Sequence, residues 1–245
     1  MHRLKFLKAL RIPLGAGIIG FSFATGKLLP QTLPLSQDLI NLNSQDGETL
    51  LVESNARRDY FPLSIHFETQ ENLAYCGVAS IVMVLNALSI PAPPTTNFGE
   101  YHIFTQENVL NEQTEKILPA AVIARQGMTL DQLGQLLETY PLNAEVYHAS
   151  EVTLDKFRQM VIENLEDPNN FVLVNYLRKT MGQERGGHIS PIAAYNQQSD
   201  RFLILDVSRY KYPPIWVEAE DLWQAMATVD STSEKTRGFV LINRR

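Results

Sequence analysis

The sequence predicts an α+β domain. Three observations carry this: apolar residues recur at helical spacing through residues 76–165, β-branched and aromatic runs dominate 171–242, and short polar turns separate those later runs. Helices followed by strands with tight connections pack as helices on an antiparallel sheet. The first helix spans 76–88, with Val78, Ile81, Val82, Leu85 and Leu88 on one face and Pro91, Pro93 and Pro94 stopping it. Thr129-Leu130-Asp131-Gln132 has the form of a capping box opening a second helix, which ends before Pro141. Leu154, Phe157, Val161 and Leu165 give a third helix its core-facing side. Strands follow at 171–176, 188–195, 202–207, 215–217 and 239–242, and the turn at 196–201 makes its flanking strands antiparallel neighbours.

The chain has 245 residues, 44% of them hydrophobic, which suits one domain with a sizeable core plus an N-terminal appendage. The formal net charge of −6 comes without a basic patch, so nucleic acid is not an expected partner. A single cysteine excludes an intramolecular disulfide, and with no second cysteine or close histidine pair no protein metal site is expected. His2, Arg3, Lys5, Lys8 and Arg11 form a basic lead, and the apolar, glycine-containing run 12–25 follows. Residues 1–28 therefore read as a signal peptide or an uncleaved signal-anchor, giving an exported, periplasmic or membrane-tethered protein, with a cytoplasmic protein carrying a tail as the alternative. Residues 29–55, with Pro30, Pro34, serines and asparagines, read as a linker, leaving 56–245 as the main domain.

The cysteine is Cys76, six residues after Gln70 and at the start of the first helix. Its plain reading is a small buried hydrophobe. Its chemical reading is a nucleophile: a helix N-terminus lowers a thiol pKa, while the Gln70 carboxamide and the Cys76 backbone N–H supply oxyanion donors. A base and an orienter favour the second reading. His188 follows two glycines, Gly186 and Gly187, and opens an apolar strand; Asp206 closes the run Phe202-Leu203-Ile204-Leu205-Asp206. A carboxylate at the end of a buried strand needs a partner, and an imidazolium is a fitting one. The other histidines, His66, His102 and His148 among them, read as surface or structural. The order Gln, Cys, His, Asp matches papain-type organisation, which would set His188 and Asp206 on adjacent strands facing the N-terminus of the Cys76 helix.

These segments resemble the phytochelatin synthase family. The likeness is carried by Thr69 to Leu88 (TQENLAYCGVASIVMVLNAL), by Gly187-His188-Ile189-Ser190-Pro191-Ile192, by Ile204 to Val217 (ILDVSRYKYPPIWV), by Leu222 to Met226 and by Arg237 to Ile242, over roughly residues 55–245. It implies a papain-like cysteine-protease fold and a cysteine-dependent acyltransferase of the short bacterial or cyanobacterial form. By resemblance Cys76 is the nucleophile, His188 the base, Asp206 the orienter and Gln70 the oxyanion residue. The implied substrate is glutathione, as donor and acceptor. Glycine leaves, and the γ-glutamylcysteinyl group passes to water or to a second glutathione, in heavy-metal detoxification or glutathione turnover. The resemblance also implies a homodimer, no tightly bound cofactor, and cadmium or zinc arriving as glutathione thiolate complexes.

Glutathione carries two carboxylates, so the acidic chain must gather it with local cations. Arg178 and Arg237 are the first candidates for the γ-glutamyl carboxylate, with Arg209 and the backbone at Gly187 beside them. Residues 97–118 read as a lid or a dimer contact. Two other functions compete: a cysteine peptidase of the bacteriocin-leader type, against which the segment Lys211 to Val217 stands, and a catalytically inactive glutathione- or metal-binding module.

Overall fold

A computed structural model describes residues 32–95 and 98–245, so the expected signal or anchor segment, residues 1–28, lies outside the described residues. In chain order these form β1 (Ile40–Asn41), α1 (Gln45–Glu53), α2 (Tyr60–Ile65), α3 (Cys76–Ala87), α4 (Glu112–Ile117), α5 (Ala120–Gln126), α6 (Leu130–Leu137), β2 (Leu142–His148), α7 (Leu154–Glu166), β3 (Asn170–Leu177), β4 (Gly187–Asn196), β5 (Arg201–Ile204), β6 (Ile215–Glu218), α8 (Ala219–Met226) and β7 (Gly238–Arg244). The strands make one sheet in the order β1-β6-β5-β4-β3-β7-β2. Every neighbouring pair is antiparallel. The domain is therefore α+β, as expected.

Both sheet faces are covered, because the strands alternate two apolar sets. Leu173, Leu203, Val240 and Ile242 pack with α3 and α6 on one side. Val172, Val174, Phe202, Ile204 and Phe239 pack on the other with Phe157, Val161 and Leu165 of α7 and Leu222 and Met226 of α8. Each such side chain contributes about 1.5–3 kcal/mol by leaving water. The Phe157 ring meets Phe202 and Phe239 at centroid distances of 5.3 and 5.0 Å.

The predicted helices are present, and the second opens on the expected capping box: Thr129 accepts from the Gln132 N–H while the Gln132 side chain accepts from Thr129. α3 differs from its one-faced expectation, since every residue from Gly77 to Leu85 is buried. It runs through the core between α2 and the sheet, so no polar face is required.

One expectation needs correction. The linker reading of 29–55 fails over its second half, which holds β1 and α1. Ser44 caps α1 by accepting from the Gly47 N–H, and the Trp216 indole donates to the Gly47 carbonyl at 3.0 Å. A Cβ at Gly47 would stand 2.1 Å from the Asn41 carbonyl oxygen, so the absence of a side chain permits the close turn. The described part of the expected lid or dimer segment, 98–118, is anchored in the domain core. Phe104, Val109 and Leu118 are core residues, and Asn86 on α3 exchanges two hydrogen bonds with the Phe104 backbone. Only Phe98, Tyr101 and Ile103 of that stretch expose large apolar side chains.

Candidate active site

Cys76 is the first residue of α3, and Tyr75 before it provides no side-chain cap. The free N–H groups of the first turn and the positive end of the helix thus gather around the thiol. Ser80, one turn on, donates to the Cys76 carbonyl at 2.8 Å and lies 3.3 Å from the Ile189 carbonyl, fastening the turn to β4 beside His188. Gly77 lets Met128 close in behind the cysteine, because a Cβ there would meet the Met128 sulfur at 2.6 Å.

His188, one residue into β4, is buried. Its Nε2 lies 2.9 Å from Asp206 Oδ1 and 2.9 Å from the Ser190 hydroxyl. Cys76 lies within electrostatic reach of the ring, and the two side chains share the wall of one cavity. Tyr176, opposite His188 in the β3–β4 register, sets its ring edge-on at 5.6 Å. Asp206 stands just past β5, where the Leu205 N–H still bonds the Pro191 carbonyl, and so comes alongside the start of β4.

The charges reinforce one another. Burial alone would push the Cys76 thiol up, but the His188 hydrogen bond and charge, the Ile189 backbone and Arg178 together bring it below its ordinary value. Burial and the Arg178 charge press His188 down, yet Asp206 and Cys76 raise it above normal. Asp206 is fully buried, which opposes ionisation, but His188 and Arg178 hold its carboxyl far below the usual range. The Cys76 and His188 shifts both move the site toward a thiolate–imidazolium pair.

Gln70, six residues before Cys76, is buried and does not itself line the cavity that holds Cys76 and His188. Its N–H bonds the Val207 carbonyl, its Nε2 donates to the Asn72 carbonyl at 2.6 Å, and its Oε1 accepts from Ser208 at 2.5 Å. Gln106 braces the flanks, donating to the Thr69 carbonyl and accepting from the Glu71 N–H. The 97–118 segment thus helps to hold the glutamine loop.

A cavity of about 700 Å³ opens over Cys76 and His188, with Asn175, Gly187, Asp230 and Arg237 also on its wall. That volume suits a small peptide. Arg237 lies where a substrate can reach it, and its Nη1 donates to the Val229 carbonyl and the Thr228 hydroxyl. Its buried Nε has no partner among the described residues, and Asp230 stands 3.8 Å from Nη2. Gly187 lies against this guanidinium: a Cβ there would meet Arg237 Nη2 at 3.3 Å.

The other two arginines are placed differently from the sequence expectation. Arg178 is buried and grips Asp206 with Nη1 at 2.7 Å and Nη2 at 2.8 Å, donates from Nη1 to the side-chain Oε1 of Gln183 at 2.6 Å, and lies over the Tyr212 ring. It is absent from the cavity wall, because the buried carboxylate of Asp206 needs both arms of the fork. Arg209 is exposed, stacks on Phe67 at 4.7 Å and reaches Thr69, also away from the cavity. Ser190, Ser208, Asn175 and Asp230 escaped the sequence reading. Ser190 stands two residues beyond His188 on β4, a spacing that brings an extended chain back to the same side, and Ser208 follows Asp206 past β5 with its N–H turned back to Oδ1.

No three histidine, cysteine, aspartate or glutamate side chains among the described residues come together as metal ligands. Comparison with known proteins then identifies the chain's relatives. The phytochelatin synthase family model matches residues 30–239. Glutathione gamma-glutamylcysteinyltransferase 1 of Arabidopsis thaliana is 35% identical over 224 residues, covering 90% of this chain and 45% of the relative. The glutathione gamma-glutamylcysteinyltransferase of Schizosaccharomyces pombe is 28% identical over 191 residues, covering 78% of this chain and 45% of the relative. The chain spans under half the length of these curated relatives. With a match over most of its length, this chain belongs to the phytochelatin synthase family.

Proposed function

We propose that the protein transfers the γ-glutamylcysteinyl group of glutathione through a thioester on Cys76. The observation that carries this reading is the pair Cys76 and His188 on the wall of a cavity that also presents Arg237 and Asp230, with the Asp206 carboxylate 2.9 Å from the His188 ring. The γ-glutamyl end of glutathione is a zwitterion. Arg237 suits its carboxylate, and Asp230 its ammonium, at a separation that matches two groups on one carbon. An ordinary α-linked peptide lacks that paired charge, so the same two residues favour glutathione over general peptides.

In the reaction, the Cys76 thiolate adds to the carbonyl of the Cys–Gly bond. The tetrahedral oxyanion accepts hydrogen bonds from the Cys76 N–H and the Gln70 carboxamide. The C–N bond then breaks, and the leaving glycine nitrogen takes the proton held by His188. His188, now neutral, draws a proton from water or from the amino group of a second glutathione as that nucleophile attacks the thioester. Water gives γ-glutamylcysteine, and glutathione gives a phytochelatin. Asp206 keeps the imidazole in place throughout and stabilises its charged form.

A helix-borne cysteine facing a histidine at the mouth of an antiparallel sheet supports a papain-like reading of the fold. Cadmium and zinc enter this account as substrate thiolates, since soft ions bind glutathione sulfur. A homodimer, and export or tethering through the basic and apolar N-terminus, remain part of the proposal. No helix among the described residues is long and apolar enough to cross a membrane. The test is mass spectrometry of products after incubation with millimolar glutathione, with and without cadmium. Released glycine with γ-glutamylcysteine or (γ-Glu-Cys)₂-Gly supports the reading, and intact glutathione in both arms overturns it.

A further inference from the structure

We propose that Ser208 is a positioning residue for the oxyanion site: its hydroxyl fixes the Gln70 carboxamide so that one Nε2–H faces the carbonyl under attack. The proposal rests on the reaction assigned above and adds a residue to it. The Gln70 side chain is 3% exposed and held at both ends. The Asn72 carbonyl, 2.6 Å away, can only accept, so the group beside it must be Nε2. Oε1 therefore faces Ser208, whose hydroxyl at 2.5 Å must donate. Of the two Nε2 hydrogens one belongs to Asn72, which leaves the other for an oxyanion.

Ser208 is itself fixed. It is buried, and its backbone N–H donates to Asp206 Oδ1 at 2.8 Å. One residue thus ties the carboxylate behind His188 to the Gln70 amide. The last torsion of a glutamine is soft and broad. Without the Ser208 hydroxyl, Oε1 loses that donor in a buried place, and the amide turns toward any other donor it can find. An oxyanion donor acts through its direction, so the loss falls on the step in which charge develops on the carbonyl oxygen.

The experiment uses the full chain as wild type, S208A, S208T, Q70A and Q70A/S208A. Glycine release from glutathione gives kcat and KM. The rate of Cys76 alkylation by iodoacetamide, a displacement at saturated carbon that forms no oxyanion, reports the thiolate and the folded site. S208A is expected to lower kcat about tenfold, the loss of one good hydrogen bond, with KM and alkylation within about twofold of wild type. S208T, which keeps the hydroxyl, recovers most of kcat. Q70A loses about a hundredfold, and adding S208A to it costs nothing further, because Ser208 acts through Gln70. The role is overturned by a wild-type kcat in S208A, by losses that multiply fully in the double variant, or by alkylation falling in step with kcat. Wild type that releases no glycine overturns the assigned reaction and this role with it, whereas wild-type release beside an unimpaired S208A overturns this role alone.

Discussion

Replacing Arg178 by alanine separates two accounts of this arginine. The sequence suggests a substrate-carboxylate binder; the packing makes it the counter-ion of Asp206, with side-chain exposures of 4% and 0% for the pair. Removing one member of a buried ion pair strands the other, at about 3–5 kcal/mol. At about 2–4 °C per kcal/mol for a domain of this size, Tm should fall by roughly 6–20 °C. Asp206 is held far below the ordinary range, so its contribution to stability is fully present above its unfolded pKa and is lost as pH falls through the folded value. R178A raises that folded value and therefore moves acid unfolding to higher pH. Thermal melts over a pH series, with glycine release measured below the new Tm, check this. Activity should drop chiefly in kcat, as the orientation of His188 loosens, and R178K should lie between, keeping the charge but not the two-armed grip. An R178A protein with unchanged Tm and a raised KM for glutathione would refute the reasoning and restore Arg178 to the substrate.

Three further outcomes follow from the same structure. The reactive pair needs a thiolate and an imidazolium, so kcat/KM should trace a bell, its acid limb below the ordinary thiol value of 9.0 and its alkaline limb above the ordinary imidazole value of 6.5. A profile without an alkaline limb would contradict the charged pair. R237A should raise KM for glutathione by about 10–100-fold, the loss of a charged hydrogen bond, while iodoacetamide alkylation of Cys76 stays unchanged; a change in kcat alone would argue against carboxylate binding. Asp59, buried with an unpartnered Oδ2 among the described residues, is pushed up to about 9 by burial and by Asp167. It is neutral in the fold and charged when unfolded, so it destabilises the protein progressively as pH rises from its ordinary value toward 9. D59N should therefore raise Tm at pH 8 more than at pH 5, and equal shifts at both would sink this assignment.

What the sequence made legible follows from how local each signal is. Helix starts with side-chain caps, such as Thr129 with Gln132, are written within four residues and were readable. The Cys76, His188 and Asp206 set was readable because each residue sits at a marked boundary: a helix start, a glycine pair, a strand end. β2 was missed because Leu142 to His148 is an edge strand with only its two ends buried, so apolar alternation is weak. β1 and α1 were hidden by a proline- and asparagine-rich composition that resembles a linker, although Gly47 and Trp216 lock them onto the sheet. Arg178 illustrates a different limit. Its charge and its place at a strand end are visible in the sequence, but the choice between a substrate carboxylate and that of Asp206 is made by the chain beyond β3 meeting the chain beyond β5, the two strands that flank β4. Ser208 carries no signal beyond its spacing from Asp206, because its importance lies in Gln70, 138 residues earlier.

The most direct measurement of the central claim is the intact mass of the protein, acid-quenched within its first turnovers with glutathione and then mapped by peptide. The account predicts an added γ-glutamylcysteinyl group on the peptide containing Cys76, formed with stoichiometric glycine and absent from C76S. Glycine release by C76S, or turnover by wild type with no adduct on that peptide at any quench time, would contradict it.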